Sequence, residues 1–400
     1  MGRLLRILPI VVFFAGPVHA ADAPPMALTG ATVYPSPTAA PIPDAVVLIS
    51  GGVITAVGKR SDMTLPPDQR AIDCSGKTIV AGFWNSHVHF TGPQWLRAES
   101  APASRLTADM QAMLTRWGFT TVWDLGSVPE NSLALRARVD SGEVAGPKIL
   151  LAPNFFPKGG HPVYVPADVP LPEVASPGEM TDLVTEALAM GGDGIKLFTG
   201  AFMGDRPVVN MDVAVAKAAV DVAHARGSPV FAHPTNQAGV DVVLASHVDV
   251  LAHTMSTQRS DTDEQLRGFK AQGTALIPTL SLWTTSPINA DRMLDAGVGQ
   301  LKNFSDNGGT ILFGTDVGFI RIVDTTLELE LMARALSADQ VLASLTTNPA
   351  AYFHAARKGR VEAGMDADLV VLDGDPAADI RNLARVAITI RAGQVIYQKP

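Results

Sequence analysis

Cysteine is almost missing from this chain. Cys74 is the only one in 400 residues, so no intramolecular disulfide can form and stability must come from a packed core. It lies in Ile72-Asp73-Cys74-Ser75-Gly76, an expected strand-to-turn position, and reads as a small buried residue rather than a reactive thiol. Charge is sparse as well. Charged residues make up 18% of the chain with a balance of −8, and no Lys/Arg-rich run offsets it, which argues against a nucleic-acid groove. Low-complexity tracts and fixed-period repeats are absent. No apolar run reaches the ~20 residues that a membrane span requires.

What is present is a core-rich composition, 47% hydrophobic, in a chain long enough for a barrel of roughly 250 residues plus an accessory unit. At the N-terminus, Arg3 and Arg6 precede the apolar run Ile7 to Ala15, and Val18-His19-Ala20 follows. A positive region, a short apolar region and a small-residue site read as a secretory signal peptide, residues 1–20, cut after Ala20. The expected location is periplasmic or secreted, with no membrane anchor left and a charge of about −10 once the two arginines go.

Beyond it, residues 21–78 and 359–400 are β-rich. Ala45–Ile49 and Val53–Val57 flank Ser50-Gly51-Gly52, and Val386–Arg391 and Gln394–Tyr397 flank Ala392-Gly393; both read as hairpins. The two ends are expected to form one small β-sandwich. Between them, residues 79–358 alternate eight short apolar runs with helix-period segments. The runs are Ile79–Trp84, Thr120–Asp124, Lys148–Ala152, Gly194–Phe198, Pro229–Ala232, Val248–Ala252, Ala275–Thr279 and Ile311–Gly314. They are continuous rather than alternating, as parallel strands buried on both faces are. Helices are marked by Ser176-Pro177-Gly178-Glu179 and Ser337-Ala338-Asp339-Gln340, both read as capping boxes, by a segment from Val213 that stops at Gly227, and by a break or kink at Asn348-Pro349. The expected fold is α/β, a (β/α)8 TIM barrel with the terminal β-sandwich attached.

Six polar residues close these apolar runs: His87 and His89, Lys196, His233, His253 and Asp316. Barrels carry their working residues at the C-terminal ends of strands. His87 and His89 are two apart on an extended segment, so both side chains point the same way. His-x-His alone is weak; two further histidines at successive strand ends make a metal site the better reading than four unrelated polar residues. Lys is almost never fully buried unless paired, yet Lys196 sits inside an apolar strand. A neutral nucleophilic amine, a Schiff base and a grip on a substrate carboxylate all stand open for it. Asp316 is placed to bind metal and to act as general base, then acid. His161 in Gly159-Gly160-His161-Pro162, and Arg206 and Arg321 in loops after the fourth and eighth strands, are candidates for substrate binding. His224, His247 and His354 read as structural.

These six residues in this order resemble the amidohydrolase superfamily. Thr346-Thr347-Asn348-Pro349-Ala350 and the stretch Gly364 to Leu372 are similar to its end-of-barrel and returning-strand segments. Within it the chain looks most similar to the imidazolonepropionase-like and Xaa-Pro dipeptidase-like branch. The resemblance implies two divalent ions, with His87, His89 and Asp316 holding one, His233 and His253 the other, and a carboxylated Lys196 bridging them; the ligand types make zinc the default, and manganese or cobalt would also fit. It also implies a metal-bridging hydroxide that attacks an amide carbon while Asp316 moves the proton to the leaving nitrogen. Imidazolonepropionases resemble a one-metal design without this lysine, which favours the dipeptidase-like arrangement. The substrates expected are dipeptides or N-acyl amino acids, with cyclic amides or lactones as the alternative; a homo-oligomer is open.

Overall fold

The computed structural model describes residues 25–66, 69–255, 262–286 and 289–400. The expected signal segment lies outside them. Among the described residues no helix is long and apolar enough to cross a membrane.

Both chain ends share one sheet. Its strand order is Gln394–Gln398, Val386–Arg391, Leu369–Leu372, Thr78–Ala81, Met26–Val33, Ile42–Ser50 and Val53–Lys59, with Arg70–Asp73 also paired to Met26–Val33. Both expected hairpins form. Gly51 and Gly52 have φ of 55° and 75°, and Ala392 and Gly393 have 48° and 76°, the left-handed pair that a two-residue turn needs to follow strand twist. Alternation sorts the side chains: Ile79, Leu369, Val371 and Ile390 pack with Leu28, Val47 and Ile49, whereas Val80, Val370, Leu372 and Val386 join the main core. The strand order is one continuous sheet where two facing sheets were expected. Met26–Val33 accounts for this: one flank pairs first with Arg70–Asp73 and then with Thr78–Ala81. The far edge turns back on the returning strand, with Ile54 N donating to Met365 O at 2.9 Å and Ala367 N to Gly52 O at 2.8 Å.

The middle of the chain alternates parallel strands and helices. Phe83–Val88, Phe119–Asp124 and Lys148–Leu151 form one parallel sheet; Glu173–Val174, Asn154–Pro157, Ile195–Leu197, Val230–Ala232, Val250–Ala252 and Ala275–Ile277 form another. Their edges are linked. Asp193 N donates to Leu151 O at 2.8 Å on one side. On the other, Leu312 N donates to Leu276 O at 2.9 Å and Ser86 N to Phe313 O at 2.7 Å.

Local details depart from the sequence reading. The run Ile79–Trp84 is two strands: Thr78–Ala81 belongs to the terminal sheet and Phe83–Val88 to the parallel one. Gly82 is the joint, where any Cβ would collide with the Thr120 side chain and come within 3.0 Å of Asp368 Cβ. The last run makes only a single bridge, Ile311 to Leu276, because Phe313 N donates to Ser344 O at 3.0 Å rather than to a neighbouring strand. The capping box at Ser337 is present. At Ser176 the hydroxyl takes Glu179 N, but the Glu179 carboxylate takes Ala175 N, one residue too early for a reciprocal box. The break expected at Asn348-Pro349 falls earlier: Ala338–Leu345 ends at Thr346, and Pro349 sits in the first turn of Thr347–Tyr352, where its missing N–H is not needed.

Candidate metal centre

The imidazoles converge on one carboxylate. His87 Nε2 and His89 Nε2 lie 3.4 and 2.9 Å from Asp316 Oδ1, and His253 Nε2 lies 4.0 Å from Asp316 Oδ2. Each of His87, His253 and Asp316 offers one ligand atom, and these atoms lie within 4.8 Å of one another. The His253 ring centre is 4.7 Å from that of His87 and 5.0 Å from that of His233, which extends the cluster by one ring. Lys196 is buried in Ile195–Leu197, whose two flanking residues face the main core instead. The expectation that His87 and His89 point together is met by their shared oxygen.

Backbone geometry holds this arrangement. Asp316 takes the left-handed region, which Asp tolerates better than most residues, and its N–H donates to His87 O at 2.9 Å. Buried Asn85 ties the two segments together: Oδ1 accepts from His87 N and from Thr315 N, both at 3.2 Å, and Nδ2 donates to Thr315 Oγ1 at 2.8 Å. Gly318 (φ 101°) then crosses directly over the His89 carbonyl, where a Cβ would collide. Gly318→Ala is therefore expected to destabilise the protein by about 2–4 kcal/mol, from strained φ and the clash together, and to displace His89. An unchanged denaturation midpoint would contradict this.

Electrostatics suit these groups to holding a metal. Burial holds the basicity of His87 and His253 well below the ordinary imidazole range, and neighbouring Lys196 and histidine charges add to it. Burial, then Lys196 and His89, lowers His233 to about 3. All three rings are therefore neutral at physiological pH, the state that binds a metal. Burial also brings Lys196 down to about 7, against the pull of Asp316. The Thr279 hydroxyl donates to Pro278 O at 2.9 Å and so accepts from His253 Nδ1, which leaves the Nε2 lone pair facing inward. Buried His87 Nδ1 has no hydrogen-bond partner. Neutral imidazole nitrogens, a carboxylate and an amine packed this closely, with an orphaned ring nitrogen among them, fit a divalent ion of the zinc type.

Sequence reasoning missed the supports. Buried Asp124, ending Phe119–Asp124, accepts from Ser127 Oγ at 2.5 Å, and that oxygen accepts from Phe90 N, beside His89, at 2.6 Å. An acid at a strand end was the signal that singled out Asp316, and it was available here too. Burial pushes Glu328 up to about 7. Its carboxylate accepts Leu280 N and Ser281 N at 2.8 and 2.7 Å, clamping the turn that carries Thr279. The contacts span 47–48 residues, so no local pattern announces them.

The three substrate candidates do not join the cluster. The His161 ring faces the loop carbonyls of Val169 (Nε2, 3.1 Å) and Pro162 (Nδ1, 3.3 Å). Arg206 and Arg321 are exposed. Elsewhere, His224 pairs with Asp249 at 2.9 Å, and His247 caps a helix in the left-handed conformation (φ 64°). Cys74 is fully buried, which pushes its thiol up to about 11.

The sequence and the fold have parallels among known proteins. Residues 78–396 match the amidohydrolase family. An imidazolonepropionase from Streptomyces avermitilis is 27% identical over 368 residues, covering 83% of this chain and 81% of its own length. The solved structure of a candidate prolidase from Bifidobacterium longum is 26% identical, with a TM-score of 0.79, over 94% of this chain and 95% of its own. A Xaa-Pro dipeptidase structure shares the fold at 22% identity and a TM-score of 0.79, over 94% and 100% of the two chains. The chain belongs to the amidohydrolase family: it is a metal-dependent hydrolase acting on carbon–nitrogen bonds.

Proposed function

We propose that this chain is an exported, binuclear metal-dependent hydrolase that cleaves the amide bond of dipeptides or N-acyl amino acids. Its two parallel sheets are then the arcs of one closed (β/α)8 barrel, joined through residues 310–313, with the single terminal sheet attached. The observation that carries the reading is the packing of neutral, buried imidazoles against Asp316 with Lys196 beside them. His87, His89 and Asp316 would hold one ion, His233 and His253 the other, and a carboxylated Lys196 both. When bound, such ions supply Lewis acidity and make water more acidic.

The chain's own groups do the rest. Lys196 becomes a carbamate when its neutral nitrogen adds to the carbon of carbon dioxide and loses one proton. Asp316 takes a proton from the attacking water on a carboxylate oxygen as the new C–O bond forms. It returns that proton to the amide nitrogen as the C–N bond breaks, ending unprotonated. Arg206 and Arg321, exposed in their loops, would take a substrate carboxylate, and His161 a carbonyl once its loop contacts are released.

The imidazolonepropionase relatives favour a second reading, a cyclic amide as substrate. A substrate panel separates the two: Xaa-Pro dipeptides, N-acyl amino acids, an imidazolone and a lactone, each assayed by mass spectrometry with zinc, manganese or cobalt and bicarbonate. Turnover of the linear amides supports the proposal. Turnover of the imidazolone or lactone alone would transfer the enzyme to the alternative. Export, read from Arg3, Arg6 and the apolar run after them, is tested by fractionation; a cytosolic protein with residues 1–20 intact would overturn it.

A further inference from the structure

Large apolar side chains gathered in solvent at one place usually meet something. Here they gather on one rim of the His–Asp cluster. Phe319, 48% exposed, stands on the turn leaving Asp316, with its N–H donating to Asp316 O at 3.2 Å. Its ring centre is 6.4 Å from that of His89, edge to face. Tyr164, 40% exposed, meets Phe319 at a steep angle with ring centres 5.0 Å apart. Val163, also exposed, donates its N–H to the carbonyl of exposed Phe202 at 3.3 Å. These side chains come from loops after three different strands, so the chain assembles them only at the mouth of the site.

Aromatic pairs that serve the fold in this protein are hidden. Phe156 stacks on Phe198 and Trp123 packs on Phe231, and all four are buried. Tyr164 and Phe319 also make an aromatic contact but stay partly exposed, so their exposed area is not needed to close the core. Burial first, and then the charge of Asp316, pushes the Tyr164 hydroxyl up, so that end of the side chain is enclosed near the cluster. Arg206 is exposed further along the loop that carries Phe202.

We infer that Tyr164 and Phe319, backed by Val163 and Phe202, determine specificity by holding an aromatic side chain next to the scissile amide. The substrate class is then the N-acyl aromatic amino acids, with the ring on the apolar rim and the carboxylate toward Arg206. This rests on the amide-hydrolase reading above. Aromatic groups are attracted edge-to-face by such rings, and a pocket that buries one separates substrates by roughly 10- to 100-fold.

The test compares kcat/KM for N-acetyl-L-phenylalanine and N-acetyl-L-alanine on the zinc-loaded enzyme. The expected ratio is at least about 10 in favour of phenylalanine. Tyr164→Ala and Phe319→Ala should each pull it toward one, mainly through KM, while Phe319→Leu restores part of it. Met190→Ala, an exposed apolar residue at the end of the helix Pro177–Ala189, should leave the ratio as it is. A wild-type ratio near one, or a ratio indifferent to both rim substitutions, overturns the inference. If neither amide is cleaved, the reaction reading fails, and calorimetry still decides this one. Phenylacetate binding at least tenfold tighter than acetate, lost in Phe319→Ala, supports it; equal weak binding overturns it. A dimer that dissociates in Phe319→Ala would assign the rim to a second copy of the chain and also overturn it.

Discussion

Replacing Lys196 by alanine is expected to lower bound divalent metal from about two ions per chain to one or none and to reduce amidase activity at least about 100-fold. The physical basis is the protonation state of the amine. An ordinary lysine near pKa 10.4 is neutral in fewer than about one molecule in a thousand at pH 7. Burial brings Lys196 to about 7, so its neutral, carbon-dioxide-reactive form is abundant there. The sign follows: below about pH 7 the ammonium form dominates and carbamate formation fails, whereas at higher pH it is favoured. Metal uptake by the stripped protein should therefore rise with pH from 6 to 8 and with added bicarbonate. Elemental analysis of wild type beside Lys196→Ala checks both points. One ion per chain in both proteins, with no bicarbonate effect, would move Lys196 to substrate binding and the enzyme toward a one-metal design.

Replacing Asp316 by asparagine is expected to lower kcat by about 10²- to 10⁴-fold while the fold survives. Asparagine matches aspartate in size and accepts the left-handed backbone found at this position, φ 58°, so the Asp316 N to His87 O hydrogen bond can persist. What it cannot do is accept a proton from water on a carboxylate oxygen or hand it to a leaving nitrogen. Unchanged circular dichroism and melting temperature with lost turnover would locate the defect in the chemistry. Turnover within tenfold of wild type would remove Asp316 from the proton-transfer role. Asp316→Ala would be a poorer probe, because alanine adds backbone strain to the chemical loss.

How much of this was legible beforehand depended on the range of each interaction. The Gly51-Gly52 and Ala392-Gly393 turns, the helix stop at Gly227 and the capping box at Ser337 are local devices, and each formed as read. The run Ile79–Trp84 was misread as one strand because both halves are apolar. Only the close approach of Thr120 and Asp368 to Gly82 divides them between two sheets. The last strand was overdrawn for a related reason: its apolar residues suit a ladder, but Phe313 N donates to Ser344 O instead of to a neighbouring strand, which leaves isolated bridges.

The sequence by itself determined which residue types stand at strand ends, and hence the class of chemistry. Four imidazoles, an amine and a carboxylate closing apolar runs point to a metal-dependent hydrolase because few other uses reconcile such groups with burial. Tertiary structure alone decided how those ligands are supported and what surrounds them. The Thr279 contact that fixes the His253 tautomer, the Glu328 clamp behind it, Asn85 between His87 and Thr315, and the Tyr164–Phe319 rim all join segments distant in the chain. A pattern of local spacing carries no information about such contacts, since they arise from how the strands and loops come together in space.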